Sequence, residues 1–415
     1  MGTSYAASPW SKFARASGAS PDQAVSRAKK LRVAVVFGGR SAEHEISILS
    51  ARFVVESLDR DRFEPVLVGI DKHGRWLAQE ESLLLGQARD PRLVRLSQAA
   101  PAVQLSPYPA SGEKSGIDEA SDGALATTST ATLDVAGRGP LGVDVVFPVL
   151  HGPMGEDGTV QGLLTLADVP FVGSGVLGSA VGMDKDVMKR LLRDAGLPIV
   201  PFLSVSAARW KRAREAVLGE IADLGPQKTM FVKPANLGSS VGVSKATGRQ
   251  EIEQAIEVAF GFDDKVVVEP GVVGLRELEC AVLGGDEPIA SRVGEIRVTH
   301  PDGFYSYAAK YVDEHGATTL VPAEISAEEE ERVQRLSLAT FEALSCHGLA
   351  RVDFFRAADG TIYVNEVNTM PGFTAISMYP KLFEASGIGA KALVSRLVDL
   401  ALERGERRKK LKTSY

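Results

Sequence analysis

Residues 350–374 read ARVDFFRAADGTIYVNEVNTMPGFT. Two short apolar-rich runs flank AADG, so the stretch reads as a pair of strands joined by a tight turn. Side chains alternate faces along a strand. Arg351 and Asp353 therefore share a face, and so do Glu366 and Asn368. If the strands pair across the turn, Asp353, Glu366 and Asn368 converge. Two carboxylates and a carboxamide oxygen form a hard, all-oxygen donor set suited to Mg²⁺, which takes few protein ligands and binds substrate phosphates alongside them. The same residues also fit a polar sheet face with an ordinary Arg–Asp pair, so the metal reading requires a phosphate site elsewhere in the chain. Past Asn368, Pro371-Gly372 breaks the strand into a loop that exposes backbone N–H groups.

Such a phosphate site is present at residues 231–244, FVKPANLGSSVGVS. A strand delivers Lys233 and is followed by a loop holding Gly238, Ser239, Ser240 and Gly242. Glycines allow close backbone approach, and successive N–H groups make a concave anion site. The lysine precedes the glycines, so this is not the P-loop. A plain Gly/Ser turn is the competing reading. Lys185, at the start of a helix, is a second phosphate candidate. Glu269 ends a strand, and Glu277 follows eight residues later; neither is informative alone. Lys310-Tyr311 lies in SYAAKYVDEHG, a stretch compatible with a lid.

HGPMGEDGTVQG (151–162) has four glycines in twelve residues and follows a strand end, where ligands of open α/β sheets sit. The six histidines show no metal-ligand spacing, so His151 reads as a polar contact to ligand. No Ser-His-Asp arrangement is legible.

Working outward, LRVAVVFGGR (31–40) is a buried strand and glycine turn of the kind found in a parallel sheet. A helix is predicted from about Ser41, with Glu43 and Glu45 near its start. FEPVLVGID and VDVVFPVL are further strands, and strands alternating with helices argue for an α/β first domain. VPFVGSGVLGSA (169–180) contains a formal G-x-G-x-x-G, but the next element is a helix rather than a strand ending in an acidic residue. It reads as a tight strand–helix corner, with a dinucleotide site as the weaker alternative. Residues 80–140 are weakly patterned and read as an irregular insertion. Ser326 and Glu329 form an S-x-x-E capping box before a helix near 327–347.

The bulk properties are those of a globular protein of two or three domains: 415 residues, 44% hydrophobic, 24% charged. A net charge of −6 leaves no basic field for nucleic acid or an anionic membrane. Two isolated cysteines, Cys280 and Cys346, form neither a disulfide framework nor a zinc site. No apolar run approaches the roughly 20 residues that span a bilayer. Residues 1–30 lack a signal-peptide core and read as a disordered extension. Residues 406–415 read as a basic tail.

GGRSAEHEIS, LHGPMGEDG, GSGVLGSAVGMDK, VKPANLGSSVGVS, AKY, RVDFF and NEVNTMPGFT occur in this order. Together they resemble the D-alanine–D-alanine ligases of the ATP-grasp superfamily, over about residues 31–405. The resemblance implies a substrate domain at 31–178 and two ATP-grasp subdomains at 179–270 and 271–405, which clasp ATP. It implies ligation of two D-alanines through a D-alanyl phosphate, for peptidoglycan precursors, by a cytoplasmic homodimer. Glu43 is expected at the ammonium of the first D-alanine, with Ser239 and Tyr311 in the same network and His151 nearby. Lys185, Lys233, Lys310 and Ser240 are expected on the phosphates, Glu269 by the adenine and Glu277 on the ribose. Asp353, Glu366 and Asn368 are expected to bind two Mg²⁺ (or Mn²⁺) ions. Arg351 and the Gly372 N–H are expected at the oxyanion, and Ser377 at the carboxylate of the second substrate. D-lactate and D-serine ligases are the alternatives, followed by a non-catalytic ATP-binding protein; the Lys-Tyr of the lid favours the dipeptide.

Overall fold

A computed structural model describes residues 29–86, 90–105, 133–135, 139–300 and 316–412. The N-terminal domain is built on β1 (Leu31–Gly38), whose residues from Val33 onward are buried on both faces. It is followed by α1 (His44–Ser57), β2 (Phe63–Ile70) and β3 (Trp76–Gln79). The segment expected to be irregular instead carries α2 (Glu81–Leu85) and a small antiparallel sheet of β4 (Val103–Leu105), β5 (Leu133–Val135) and β6 (Gly139–Pro140). Elements of two to five residues complete too few periods to register as a pattern. With β7 (Val145–Val149) the main sheet has the order β3-β2-β1-β7, and β1 runs parallel to both neighbours. This is the parallel α/β core that the apolar runs predicted.

Helices α3 (Thr159–Leu166) and α4 (Val176–Met183) lead out of this domain. The glycine motif before α4 is a strand–helix corner: Gly173 has φ 98°, and Gly175 caps α4. Gly178 is required by packing, because a Cβ there would lie 2.5 Å from the Ser345 carbonyl oxygen.

The central unit contains α5 (Lys185–Asp194), β8 (Leu203–Ser206), α6 (Ala207–Ala222), β9 (Thr229–Pro234), β10 (Ser244–Thr247), α7 (Arg249–Ala259) and β11 (Lys265–Pro270). Its antiparallel sheet has the order β10-β9-β11-β8. Met230, Val232, Val266 and Val268 pack with α6 and α7. Strand alternation therefore turns Lys233 and Glu269 to the opposite face.

The third unit is an antiparallel sheet of β12 (Arg276–Gly284), β13 (Ile289–Val298), β14 (Ala317–Leu320), β15 (Gly348–Arg356) and β16 (Ile362–Asn368), in the order β14-β13-β12-β15-β16. One face carries α8 (Ala327–Ala343), with the predicted Ser326–Glu329 capping box formed, and shares a core with Met188 and Leu192 of α5. The other carries α9 (Met378–Ala385) and α10 (Ala390–Lys409). Here the core is continuous with the first domain: Phe37, Phe147 and Ile48 pack in one cluster with Leu349, Tyr379 and Leu397. Arg404 of α10 donates to the carbonyls of Gly173 (2.6 Å) and Phe171 (2.7 Å), fastening the first domain to the third. Among the described residues, no helix is long and apolar enough to cross a membrane.

Candidate active site

The hairpin of β15 and β16 forms as the sequence predicts. Asp353 lies opposite Glu366, and Arg351 opposite Asn368. Asn368 Nδ2 donates to Asp353 Oδ2 at 3.0 Å. Arg351 donates to both oxygens of Asp353, each at 2.7 Å. On the adjoining strand Glu279 faces Asp353, and its Oε2 lies 3.0 Å from Arg351 Nε. Burial opposes the charge on Arg351, but the Asp353 and Glu279 carboxylates outweigh it and hold the guanidinium well above its ordinary range. Glu279 was missed from sequence. Its signal was the E-x-E of RELEC, the same two-residue alternation that exposed Glu366 and Asn368.

Among the described residues no cluster of three His, Cys, Asp or Glu side chains forms a metal site. The Asn368 carboxamide is what completes a set of three here. Glu366 and Asn368 line a cleft with Lys185, Leu237 and Gly238, and Glu366 Oε2 stands 3.9 Å from Lys185 Nζ. Glu366 and Asn368 at the end of β16, facing Lys185 across this cleft with Asp353 on the strand beside them, fit a hard divalent cation and a polyphosphate.

The cationic side is ordered by secondary structure. Asp184 caps α5 by accepting from the Val187 N–H at 3.0 Å, which fixes Lys185 at the first helical position. Lys185 Nζ donates to the carbonyl of Leu237, in the loop joining β9 to β10. In that loop Ser239 and Ser240 adopt left-handed backbone, with φ 53° and 58°. Such strain costs non-glycine residues about 1–3 kcal/mol each and clusters at ligand clamps. Lys233 Nζ donates to Glu269 Oε2 at 2.8 Å and to Asn365 Oδ1 at 3.3 Å. The second oxygen of Glu269 lies 3.0 Å from Lys189 Nζ. Burial alone would raise the Glu269 pKa, but the two lysines pull it down to about 2. Lys189 is a second residue that sequence reading missed; its position four after Lys185 was the available signal. Glu277 lies two residues from Glu279 on β12, half-buried.

The first-domain side gathers Glu43, His151 and the loop after β16. Glu43 precedes α1, which begins at His44 rather than at Ser41, and its N–H donates to Ser41 Oγ at 3.2 Å. Its carboxylate lies against Gly152, where a Cβ would stand 3.4 Å from Oε2. His151 is buried, with Nε2 3.0 Å from Ser50 Oγ and Nδ1 3.0 Å from the Met370 carbonyl. The Phe373 N–H donates to the same Ser50 hydroxyl at 3.2 Å. Burial disfavours charge on His151, but Glu156 and Glu43 outweigh it and raise its pKa. Glu156 also lines the cleft with Lys185 and Glu366, so it links the two halves of the site. Ser377 Oγ accepts from the Thr374 N–H at 3.0 Å and faces Gly372, whose Cβ would stand 3.1 Å from it. Lys310 and Tyr311 lie outside the described residues.

Two family descriptions match the chain: "D-ala D-ala ligase N-terminus" over residues 32–174 and "D-ala D-ala ligase C-terminus" over residues 191–399. The chain is 48% identical over 387 residues to the D-alanine–D-alanine ligase of Shouchella clausii, covering 93% of this chain and 98% of that one. It is 47% identical over 386 residues to D-alanine–D-alanine ligase A of Escherichia coli K12, covering 93% and 100%. Among solved structures, the D-alanine–D-alanine ligase of Coxiella burnetii superposes with a TM-score of 0.75 at 34% identity, covering 92% of this chain and 98% of that chain. The VanG D-Ala:D-Ser ligase of Enterococcus faecalis gives 0.74 at 34% identity, covering 90% and 100%. The chain thus belongs to the D-alanine–D-alanine ligase family and is an ATP-dependent ligase with the ATP-grasp fold.

Proposed function

We propose that the chain joins two D-alanine molecules into D-alanyl-D-alanine, converting ATP to ADP and phosphate. The observation that carries this is the opposition, across one cleft, of Glu366 and Asn368 to Lys185 and the glycine loop. A lysine and a glycine loop on one wall and oxygen donors on the other suit a triphosphate held by divalent metal. Phosphoryl transfer leaves a protein little covalent chemistry, so positioning and charge neutralisation do most of the catalysis.

Glu43, beside Gly152 and near His151, receives the ammonium of the first D-alanine. The carboxylate of that first D-alanine then attacks the γ-phosphorus, forming D-alanyl phosphate as ADP leaves. Lys185, Lys233 and Lys310 hold the phosphates together with Ser239 and Ser240. Glu277 takes the ribose, and Glu269 lies by the adenine. Asp353, Glu366 and Asn368 are the residues that would hold two Mg²⁺ or Mn²⁺ ions, which when bound would supply charge neutralisation at the transferring phosphoryl group. The amine of the second D-alanine, once deprotonated, attacks the acyl phosphate carbonyl while Ser377 holds its carboxylate, and phosphate leaves as the tetrahedral oxyanion collapses to the amide. Arg351 and the Gly372 N–H receive the oxyanion. By the family resemblance, Tyr311 joins Glu43 and Ser239 in the network around the first D-alanine. The active species is a homodimer, which light scattering checks.

Product identification by mass after incubation with ATP, Mg²⁺ and D-alanine tests the reading; phosphate release without a dipeptide would refute it. The likeness to a D-Ala:D-Ser ligase makes D-serine the competing acceptor, and D-lactate completes the comparison. Equal or better turnover with either would move the assignment within the family.

A further inference from the structure

We propose that Lys189 is a positioning residue for nucleotide binding: it occupies one oxygen of Glu269, so that Lys233 keeps an uncancelled positive charge beneath the triphosphate. The inference rests on the ATP reading above and extends it to a residue that contacts no substrate.

Lys189, Glu269 and Lys233 are 1%, 2% and 8% exposed. Each lysine takes a different oxygen of Glu269, at 3.0 Å and 2.8 Å. With Lys233 alone, Glu269 would form a neutral pair, and the charge presented to an incoming anion would be cancelled. The third group restores a net charge of one. Burying unbalanced charge is expensive, and a packed apolar side chain would usually be the more stable occupant of such a position. The arrangement makes sense where an anion completes the balance.

Lys189 lies one helical turn beyond Lys185 on α5, so both side chains leave the same helix face. Its pairing with Glu269 ties the helix bearing Lys185 to the strands bearing Lys233 and Glu269. From Lys233 the chain of contacts continues to Asn365, the neighbour of Glu366. One buried relay therefore aligns both phosphate lysines with the strand that carries the metal-binding carboxylate. Burial, with Lys233 nearby, lowers the Lys189 pKa from the ordinary lysine value; the Glu269 carboxylate opposes that shift, and the Phe202 ring, its centroid 5.7 Å from Nζ, adds a cation–π contact on the same side.

The experiment is calorimetric titration of the full-length chain with ADP in the presence of Mg²⁺, with KM measured for ATP and for D-alanine. Lys189→Met should weaken ADP binding on the order of tenfold, the scale of one partly screened charge several ångströms away. KM for ATP should rise while KM for D-alanine stays unchanged. Lys189→Arg keeps the positive charge beside Glu269, so ADP affinity should stay near wild type. A role in packing alone predicts that Lys189→Arg, the bulkier change, weakens ADP binding as much as Lys189→Met, and that result would overturn the proposal. Should Lys189→Met fail to fold, Lys189→Arg carries the test alone, with affinity near wild type expected and its loss counting against us. A wild-type chain that does not bind ADP overturns the parent reading together with this one. Wild-type binding with Lys189→Met unchanged overturns this one only.

Discussion

Arg351 grips Asp353 along one face of β15, with two hydrogen bonds of 2.7 Å to the two carboxylate oxygens. Glu279 on the neighbouring strand approaches Nε of the same guanidinium at 3.0 Å. An arginine held from two sides keeps its orientation when one partner's oxygens are drawn toward a cation. The pairing thus joins Asp353, a proposed metal ligand, to Arg351, the group proposed for the oxyanion.

Arg351→Ala should therefore leave less than about 1% of kcat, since loss of one oxyanion donor typically costs about 3–4 kcal/mol. It also strips the counter-ion from Glu279 and Asp353, so the melting temperature should fall as well. Normal turnover in a steady-state phosphate-release assay would refute the role.

Chelation by EDTA should abolish turnover, and Mg²⁺ or Mn²⁺ should restore it. In Asp353→Asn and Glu366→Gln, Mn²⁺ binding followed by electron paramagnetic resonance should weaken along with activity. Unaltered binding in both variants would remove these carboxylates from the metal site.

His151 joins α1, through Ser50, to the loop after β16, through the Met370 carbonyl. His151→Ala removes both bonds and leaves the lysine relay intact. KM for D-alanine should rise several-fold, the scale of one lost buried hydrogen bond of about 1 kcal/mol, with KM for ATP unchanged. A selective rise in KM for ATP would contradict the division of the site described above.

Glu269 is held from 4.5 down to about 2: burial opposes the shift, and Lys189 and Lys233 drive it. A folded-state value below the unfolded one contributes stability above the unfolded value, and that stability is lost as pH falls through the folded one. Urea midpoints of wild type and Glu269→Gln should therefore differ most above pH 4.5 and converge toward pH 2. A difference that stays constant across this window would show that the pair is not coupled to protonation.

Gly178→Ala places a methyl carbon 2.5 Å from the Ser345 carbonyl oxygen, a backbone atom that cannot swing aside. The expected loss is about 1–3 kcal/mol, typical of overpacking. Thermal melting measures it directly, and an unchanged midpoint would mean that α4 and the Ser345 turn can separate at little cost.

Local periodicity alone determined the two features on which the function turns. A turn between the two strands places Asp353 opposite Glu366 only thirteen positions away, although the register shifts by one residue between Asp353 and Phe354. The loop after Lys233 is equally local, because its glycines and serines dictate backbone shape within a hairpin. The parallel sheet of the first domain was legible for the same reason, since buried strands announce themselves as unbroken apolar runs. Tertiary structure decided what lies behind these groups. Glu269 reads as an unremarkable carboxylate at a strand end until α5 and β9 bring Lys189 and Lys233 to its two oxygens from 80 and 36 residues away. Glu279 becomes a partner of Arg351 only because β12 pairs with β15 across an intervening hairpin and helix. His151 meets Ser50 and Met370 because the core of the first domain continues into that of the third. Charge pairs of this kind depend on which sheet faces which, and that choice is made by the burial of surfaces far apart in the chain, which no short window of sequence contains.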